Sequence, residues 1–474
     1  MEDRGIPEIR TESETERDRL TMKTLLNTFK MRNAAVLAAC ALAFCAPAGA
    51  ADLLQIFRDA KANDAAFASA RAALEAGREK LPQGQALLLP TLSMTANSIY
   101  NEFDVRTRTG AGSGTWLNRP FNSNGYTVTL TQPLFRMQNW TQYEQAEFQV
   151  GQSEASFGQA SQDLIVRVAQ AYFDVLASQD SLATIQAQKT AIGEQLAQAK
   201  RNFEVGTATI TDTHEAQARF DLSTSQEIVG QNDLELKQRA LQQLIGRYPE
   251  SLTRLQPKLQ LSPPQPTAME SWVESAQRQN YSVRLQEAGY EIASREIARN
   301  RAGHLPTLDV VGTMGVTSVG TNSLNGVGND QKFTTLGLQL AVPLYAGGGV
   351  NSRVREAIAN QDKARADLEN SRRQAAFAAR QSFLGVTNGM AQVRALEQAL
   401  LSSETALASN KLGYEVGVRI NIDVLNSQQQ VFSTQRDLSK ARYDTLMNGL
   451  RLKAAAGTLT EADVEEVNRL LGNS

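Results

Sequence analysis

The 474-residue sequence contains very little cysteine and histidine, two residue types common in catalytic and metal-binding sites. Its two cysteines, Cys40 and Cys45, both lie in the first 50 residues, and its two histidines, His214 and His304, are far apart in sequence. The sequence also has no glycine-rich phosphate-binding loop and no group of residues at metal-ligand spacing. We therefore expect no catalytic residues, no cofactor and no metal site, and we do not expect an enzyme.

The chain also has little net charge, few aromatic residues and no long apolar run after Ala51. A net charge of −2 and a pI of about 6.0 give no electrostatic basis for binding nucleic acid. Aromatic residues make up 6% of the chain, a composition that suits long helices better than a compact core. After Ala51 no apolar run approaches the ~20 residues of a membrane-spanning helix, so a membrane location would require a β-barrel.

The first 50 residues are predicted to be removed rather than folded. Residues 1–21 are dense in charge, and Met22 opens a segment with a basic end followed by an apolar run. Ala48-Gly49-Ala50 has the small residues of a signal-peptide cleavage site, which predicts a mature chain that begins at Ala51. On this interpretation Met22 or Met31 is the true start of translation.

A lipidated N-terminus is the alternative for this segment. Leu37-Ala38-Ala39-Cys40 resembles a lipobox, in which Cys40 would carry the lipid. The apolar run before Cys40 is short and continues past it, which favours the ordinary signal peptide.

Proline is absent from two long windows, between Pro133 and Pro249 and after Pro343. Because proline breaks helix interiors, these windows permit very long helices. Apolar residues at 3/4 spacing predict helices from about Met137 to Asn202 and from about Val350 to Leu412, each on the order of 100 Å long. Shorter helices are expected to follow, over about 210–245 and about 420–456.

Several sequence landmarks occur twice, in the same order. Phe203-Glu204-Val205-Gly206 with Asp212 matches Tyr414-Glu415-Val416-Gly417 with Asp423 at an offset of 211 residues. Leu89-Pro90-Thr91-Leu92 likewise matches Leu305-Pro306-Thr307-Leu308, and Pro133-Leu134-Phe135 matches Pro343-Leu344-Tyr345. Landmarks that recur at near-constant offset indicate one large structural unit that has been duplicated.

Each repeat contains two alternating segments that predict a β-hairpin, at 91–132 and 307–342. Gly/Ser/Asn-rich loops, Gly110–Gly125 and Gly320–Asn329, separate the strands. Strands of about ten residues fit the ~9–11 residues that a membrane-crossing strand needs. Since open sheet edges are not tolerated in lipid, several chains would have to share one barrel; the alternative is a half-buried sheet outside the membrane.

These signals divide the chain into segments. Residues 1–50 are the extension and signal peptide, 51–248 the first repeat, 249–268 a proline-rich linker, 269–457 the second repeat, and 458–474 a short helix and tail. The repeats are expected to open with helices over 52–88 and about 269–302. Each repeat would then set one long helix beside two half-length helices, a pair too thin to bury a core without neighbours.

The second copy of the repeated motif is the most specific part of the sequence. It reads Gly413-Tyr414-Glu415-Val416-Gly417 with Arg419 and Asp423-Val424-Leu425, followed by Ala441-Arg442-Tyr443 and Ala456-Gly457-Thr458-Leu459. With these residues and the paired hairpin signals, the sequence resembles the TolC family of outer-membrane channels over essentially the whole mature chain.

The resemblance implies an α+β membrane protein that is a homotrimer in the outer membrane of a Gram-negative bacterium. Each chain would give four strands to one 12-stranded β-barrel, continued by a helical tunnel through the periplasm. The implied function is export, by type I protein secretion and/or multidrug efflux, with an iris-like opening of the helix tips. The implied partners are a periplasmic adaptor, an inner-membrane transporter of ABC, RND or MFS type and outer-membrane lipid. The alternative is a trimeric coiled-coil surface or adaptor protein without a pore.

By similarity, the family's gating contacts map onto Thr211 and Asp212 in the first repeat and onto Tyr414 and Arg419 in the second. Arg419 opposite Asp212 would make a charge-assisted hydrogen bond between neighbouring helix pairs. Alternatively, Thr211 and Asp212 only cap the helix that follows the turn, and Arg419 is solvated.

Asp423 is the expected selectivity residue, because three copies of it around an axis would form an acidic ring in the lumen. The family pattern has a second carboxylate three residues later, where this sequence has Asn426. The sequence therefore predicts a single acidic ring and a weaker preference for cations.

Two Val-Gly pairs mark the helix tips, Val205-Gly206 and Val416-Gly417. Glycine permits the left-handed backbone conformation that such a turn needs. The pairs are candidate docking points for the adaptor, and turn chemistry alone is the alternative explanation.

Overall fold

The computed structural model describes residues 51–472 apart from 107, 110–111, 208, 250, 257–260 and 322–326. The predicted signal segment 1–50, with Met22, Met31 and Cys40, lies outside the described residues, as do parts of the predicted linker and tail. No helix among the described residues is both long enough and apolar enough to cross a membrane.

Long helices and a small set of strands make up the described chain. The helices are α1 Leu53–Asn63, α2 Ala65–Arg78, α3 Lys80–Ala86, α4 Met137–Glu204, α5 Ile210–Ile245, α6 Met269–Gln279, α7 Tyr281–Arg301, α8 Gly349–Glu415, α9 Asn421–Ala455 and α10 Glu461–Asn468. The strands are β1 Thr91–Val105, β2 Arg108–Thr109, β3 Gly112–Ser113, β4 Leu117–Phe135, β5 Thr307–Val319 and β6 Asn329–Ala341.

The four long strands form one antiparallel sheet in the order β1-β4-β5-β6, so the hairpins of the two repeats lie side by side. The register places Leu92 opposite Leu130 and Leu308 opposite Leu340. Because alternate residues share a face, the apolar positions of all four strands form one continuous face. Leu336 and Leu338 on β6 and Leu92 on β1 are largely exposed within the single chain. The prediction of four amphipathic strands is confirmed.

The first hairpin is longer than the sequence predicted. The segment Gly110–Gly125 was expected to be a loop, but β4 already begins at Leu117 and pairs with the far end of β1. Its asparagines are satisfied across the strands: Asn118 donates to Glu102 and Asp104, and Ser98 donates to Asn124. The polar residues from Leu117 onward therefore form a strand and not a loop, because their side chains pair with each other on the sheet.

The two long helices are confirmed at 68 residues for α4 and 67 for α8. In each repeat the long helix lies beside half-length helices, α1 to α3 and α5 along α4, and α6, α7 and α9 along α8. Helix α4 also packs on α7 and α9, so the two repeats share an interface.

The helices predicted as continuous over 52–88 and 269–302 are each interrupted, so these two predictions are wrong. Asp64 ends α1 and caps α2, accepting a hydrogen bond from the Phe67 amide at 2.9 Å. Asn280 does the same between α6 and α7. A third interruption falls at Glu79, because Pro82 has no N–H to donate to residue 78 and its ring would clash there. Pro82 is accommodated in the first turn of a new helix.

Asp64 lies at a buried joint and keeps its charge there. Burial by itself would raise the pKa of this carboxyl, but hydrogen bonds from Arg167, at 2.8 Å, and from the Phe67 amide outweigh it and lower the pKa. The charged cap thus also fixes α2 against α4, which carries Arg167.

The ends of the half-length helices meet at this interruption in both repeats. Gly246, at the end of α5 with φ of 75°, lies against Asn63, and Gly457, after α9 with φ of 74°, lies against Gln279. A Cβ at position 457 would come within 2.3 Å of the Gln279 carbonyl oxygen, so only glycine fits there. The two repeats therefore join their half-length helices in the same way.

The largest buried cluster lies around these joints, and we refer to it as the central cluster. It draws residues from α1, α2, α4, α5, α9 and α10 and from the segments on either side of α10: Leu53, Ile56, Phe57, Phe67, Leu164, Ile165, Val168, Tyr172, Phe173, Val175, Leu176, Leu241, Ile245, Tyr443, Leu446, Met447, Leu450, Leu459, Val464 and Leu471, among others. The rings of Phe173 and Tyr443 lie 5.6 Å apart, which joins the first repeat to the second. Burial and the nearby Asp180 carboxylate raise the pKa of Tyr443, whose protonated hydroxyl donates to Asp180 at 2.7 Å.

Three distant parts of the chain close over this cluster. Ala51 pairs with Leu252, and Leu255 pairs with Leu471, so the segment before α1, the linker and the C-terminal end meet. The fully buried Tyr172 donates its hydroxyl to the Thr253 carbonyl at 2.7 Å and so ties the linker to α4.

We expect Phe173→Ala to destabilise the protein by about 4 kcal/mol, because it leaves a cavity where both repeats meet. Phe377→Ala is the matched control, since Phe377 is 66% exposed on α8 and its loss should change stability by less than ~0.5 kcal/mol. Chemical denaturation of the purified protein in detergent, followed by circular dichroism, measures both. Equal effects of the two substitutions would contradict the central role of this cluster.

Candidate functional site

Two tight turns form the helix tips and have the same backbone geometry. Gly206 follows α4 with φ of 80°, and Gly417 follows α8 with φ of 79°. The amide of Thr207 bonds to the carbonyl of Asn202, and the amide of Val418 bonds to that of Gly413, both at 2.8 Å. The predicted left-handed glycine at each tip is confirmed, and the duplicated motif is a duplicated helix-ending turn.

The first tip uses Asp212 to start the helix that follows it. Asp212 Oδ2 accepts hydrogen bonds from the amide and the hydroxyl of Thr209, at 3.0 and 2.8 Å, in a capping box. The capping interpretation is therefore confirmed for Asp212, whereas the N-cap residue is Thr209 and not Thr211. Among the described contacts, Oδ1 of Asp212 has no hydrogen-bond partner.

The second tip places Arg419 beside Asp423, with Nη1 and Oδ2 3.7 Å apart. The aliphatic part of Arg419 lies on Gly413, where a Cβ would come within 2.7 Å of the Arg419 Cγ. Gly413 thus leaves the space that this arginine occupies. The described contacts of the single chain do not bring Arg419 to Asp212, and their predicted bond between neighbouring helix pairs stays a prediction.

Polar side chains connect the two tips within one chain. Asn202 on α4 donates to the Tyr414 hydroxyl at 3.2 Å, and Gln195 donates to Asn421 at 2.7 Å. Arg219 on α5 donates to Asn426 at 2.8 Å and also to Gln429. We call these contacts the tip seam.

Most of the buried polar residues in this part of α4 and α9 were not predicted from the sequence. Each helix has two buried polar residues seven positions apart, Gln188 and Gln195 on α4 and Asn421 and Gln428 on α9. Polar residues at heptad spacing on an otherwise apolar stripe were the available signal, because such positions mark polar layers in packed helices.

Some buried polar groups at the tip seam and beside it in sequence lack a partner. Among the described residues, Asn421 Nδ2, Gln428 Oε1 and Thr213 Oγ1 are buried without a hydrogen-bond partner. A group of this kind costs roughly 1–3 kcal/mol. The apolar support here is small: Ile192, Leu196, Ala199, Ala216 and Leu425. The seam therefore binds the repeats together much less tightly than the central cluster does.

Each of the two turns presents apolar side chains on its outside, because Val205, Val416 and Val418 are largely exposed.

No group of histidine, cysteine, aspartate and glutamate residues in the described part of the chain could hold a metal ion.

Comparison with known proteins matches this architecture. The family model "Outer membrane efflux protein" matches residues 56–247 and 272–458, one segment in each repeat. The chain belongs to the outer membrane efflux protein family. It is thus an outer-membrane transport protein with two tandem repeats, and family membership favours the channel over the pore-free coiled coil of the sequence analysis.

Individual members of the family cover nearly the whole chain. Outer membrane protein TolC of Vibrio cholerae is 33% identical over 420 residues, which is 88% of this chain and 93% of that protein. Alkaline protease secretion protein AprF of Pseudomonas aeruginosa is 34% identical over 420 residues, 88% of this chain and 86% of that protein. The crystal structure of outer membrane protein VceC of Vibrio cholerae has a TM-score of 0.73 at 19% identity, over 85% of this chain and 96% of that one. The chain has the fold of VceC.

We expect Gln428→Leu to stabilise the tip of this efflux-family protein, because it replaces a buried acceptor that has no partner by an apolar group of similar size. Amide hydrogen exchange in the first turns of α9 should slow by up to roughly tenfold. Gln430→Leu, at an exposed position of the same helix, is the control and should leave exchange unchanged. Faster exchange in Gln428→Leu would contradict the account of the seam.

Proposed function

We propose that this protein is the trimeric outer-membrane channel of an export system. The observation that carries the proposal is the sheet: β1 and β6 are each paired on one side only among the described strands, and one face is continuously apolar. Three copies would close twelve strands into a barrel, which removes every open edge and turns the apolar faces to lipid. The long helices would continue the barrel as a tunnel through the periplasm.

The names of two relatives support a protein cargo. AprF is named for alkaline protease secretion, and PrtF of Dickeya chrysanthemi is named for secretion of proteases. We therefore assign the chain to type I protein secretion and/or multidrug efflux, with an inner-membrane transporter of ABC, RND or MFS type. A periplasmic adaptor would dock on Val205-Gly206 and Val416-Gly417, where exposed valines flank rigid turns.

The tips are the proposed gate. Asp212 uses only Oδ2 for its helix cap, so Oδ1 can accept a bond from Arg419 of a neighbouring helix pair. Thr211 is exposed beside it, and Tyr414 already holds the first tip through Asn202. Opening would break these polar contacts in an iris-like motion of the tips, while the central cluster keeps the helices together.

Asp423 is the proposed selectivity residue, as one acidic ring facing the lumen. Its neighbour Arg419 at 3.7 Å offsets part of the charge, and Asn426 contributes no second carboxylate. Both features support a weak preference for cations.

We expect Arg419→Ser with Tyr414→Phe to raise the single-channel conductance in planar bilayers several-fold. The double variant loses the proposed bond of Arg419 to Asp212 of a neighbouring helix pair, and it loses the bond between Asn202 and the Tyr414 hydroxyl within the chain. The matched control is Arg239→Ser with Tyr248→Phe on and just after α5. Arg239 and Tyr248 interact with each other and with Glu235, away from the tips.

A small wild-type conductance that rises only in the tip variant supports both the pore and its gate. A pore with equal conductance in the wild type and the tip variant would overturn the gate alone. The absence of any conductance from folded protein would overturn the channel.

A further inference from the structure

Arg219 occupies an unusual electrostatic position in the tip seam. Its guanidinium group donates to Asn426 Oδ1 at 2.8 Å and to Gln429 Oε1, both of which belong to α9. Both acceptors are neutral amides. From the sequence, Asn426 is only the position of a missing carboxylate, whereas in the structure a cationic side chain of the other repeat donates to it.

The charge of Arg219 is not cancelled by a nearby acid. Among the described residues, no carboxylate lies within ion-pair distance of this guanidinium, although Glu215 and Asp221 are on the same helix. The neighbouring charged groups have partners of their own: Asp423 has Arg419, and Glu227 has Lys189. Two donors of Arg219 are used by the amides, and the fork has five, so donors remain for a further ligand.

The position of Arg219 relative to Asp423 determines where this charge would lie in the proposed channel. Asn426 follows Asp423 by three residues, so the two lie on the same face of α9, about one turn apart. If Asp423 faces the lumen, as the proposed function requires, the guanidinium that binds Asn426 lies at the same face. This step rests on the proposed function.

We infer that Arg219 makes the tip constriction a binding site for multivalent anions, such as groups of carboxylates or phosphates on a passing molecule. In a trimer, three guanidinium groups would form a cationic ring about one helical turn from the acidic ring of Asp423. Planar guanidinium donors match carboxylate and phosphate oxygens, and rings of charged side chains set selectivity in pores. Arg219 would thus be a specificity-determining residue for anionic cargo.

The test is block of single-channel current by two trivalent probes, ferricyanide as the anion and hexaamminecobalt(III) as the cation, added at the side of the tips. Ferricyanide should block the wild type, and Arg219→Gln should weaken that block at least roughly tenfold because it removes the charged donor. Arg219→Lys keeps the charge and should retain most of the block. Asn426→Asp gives Arg219 a carboxylate partner and should weaken ferricyanide block while strengthening hexaamminecobalt block.

The controls separate this inference from the proposed function. Arg239→Gln removes an arginine of the same helix away from the tip and should leave both blocks unchanged. Asp423→Ala should weaken the block by hexaamminecobalt but not the block by ferricyanide, because it also removes the acid that pairs with Arg419. Ferricyanide block that is absent from the conducting wild type, or equal in wild type and Arg219→Gln, would overturn the inference and leave the channel in place. Folded protein without conductance would overturn the proposed function and this inference with it.

Discussion

The contact between the rings of Phe173 and Tyr443 joins the two repeats, and the rest of the structure depends on this junction. Each repeat is a long helix beside half-length helices, and the buried clusters made only of second-repeat residues are small. The larger central cluster packs α4 of the first repeat on α9 of the second, next to the joints of the half-length helices. The segment before α1, the linker and the C-terminal end close over the same place.

From this cluster, α4 extends in two directions under different constraints. Towards the sheet it packs closely on α2 and α3, and Arg136, just before α4, bonds to the buried Asp309 of β5 at 2.8 Å through Nε. Towards the tip it runs roughly 45 Å from Phe173 to Phe203, and the contacts with the second repeat become polar. One end is thus fixed by sheet pairing and an ion pair, while the other is held by exchangeable hydrogen bonds.

This difference in packing bears on the proposed opening of the channel. Each bond of the tip seam contributes a net of about 1 kcal/mol, and the buried groups without partners subtract from the total. A central cluster of large apolar side chains is far more costly to disrupt. The proposed iris-like motion of the tips would therefore need little free energy and would leave the middle of each repeat intact.

Much of the fold could be predicted from the sequence, for physical reasons. The proline-free windows and 3/4 spacing predicted α4 and α8 closely, and strict alternation predicted the strands. The interruptions at Asp64 and Asn280 were missed, because a capping side chain in a helical pattern looks like any polar surface residue. The first hairpin was predicted too short, since asparagines paired across strands have the composition of a loop.

The candidate site was predictable only in part. Tyr414, Arg419, Asp212 and Asp423 came from a resemblance, and the bond of Arg419 to Asp212 between neighbouring helix pairs remains a prediction. Arg219 could not be found from sequence, because its role depends on which neutral oxygens of the other repeat it reaches. A single sequence does not show which residues face each other across two repeats.

The most direct test of the central claim is conductance with the tip seam locked. Residues 51–474 contain no cysteine, so Asn202→Cys with Tyr414→Cys can be linked selectively by a bis-maleimide with a cleavable disulfide spacer. The account predicts a low, steady single-channel conductance in the linked protein and a several-fold increase when the spacer is reduced. The same conductance before and after cleavage would contradict the claim that contacts between the repeats at the tip hold the channel closed.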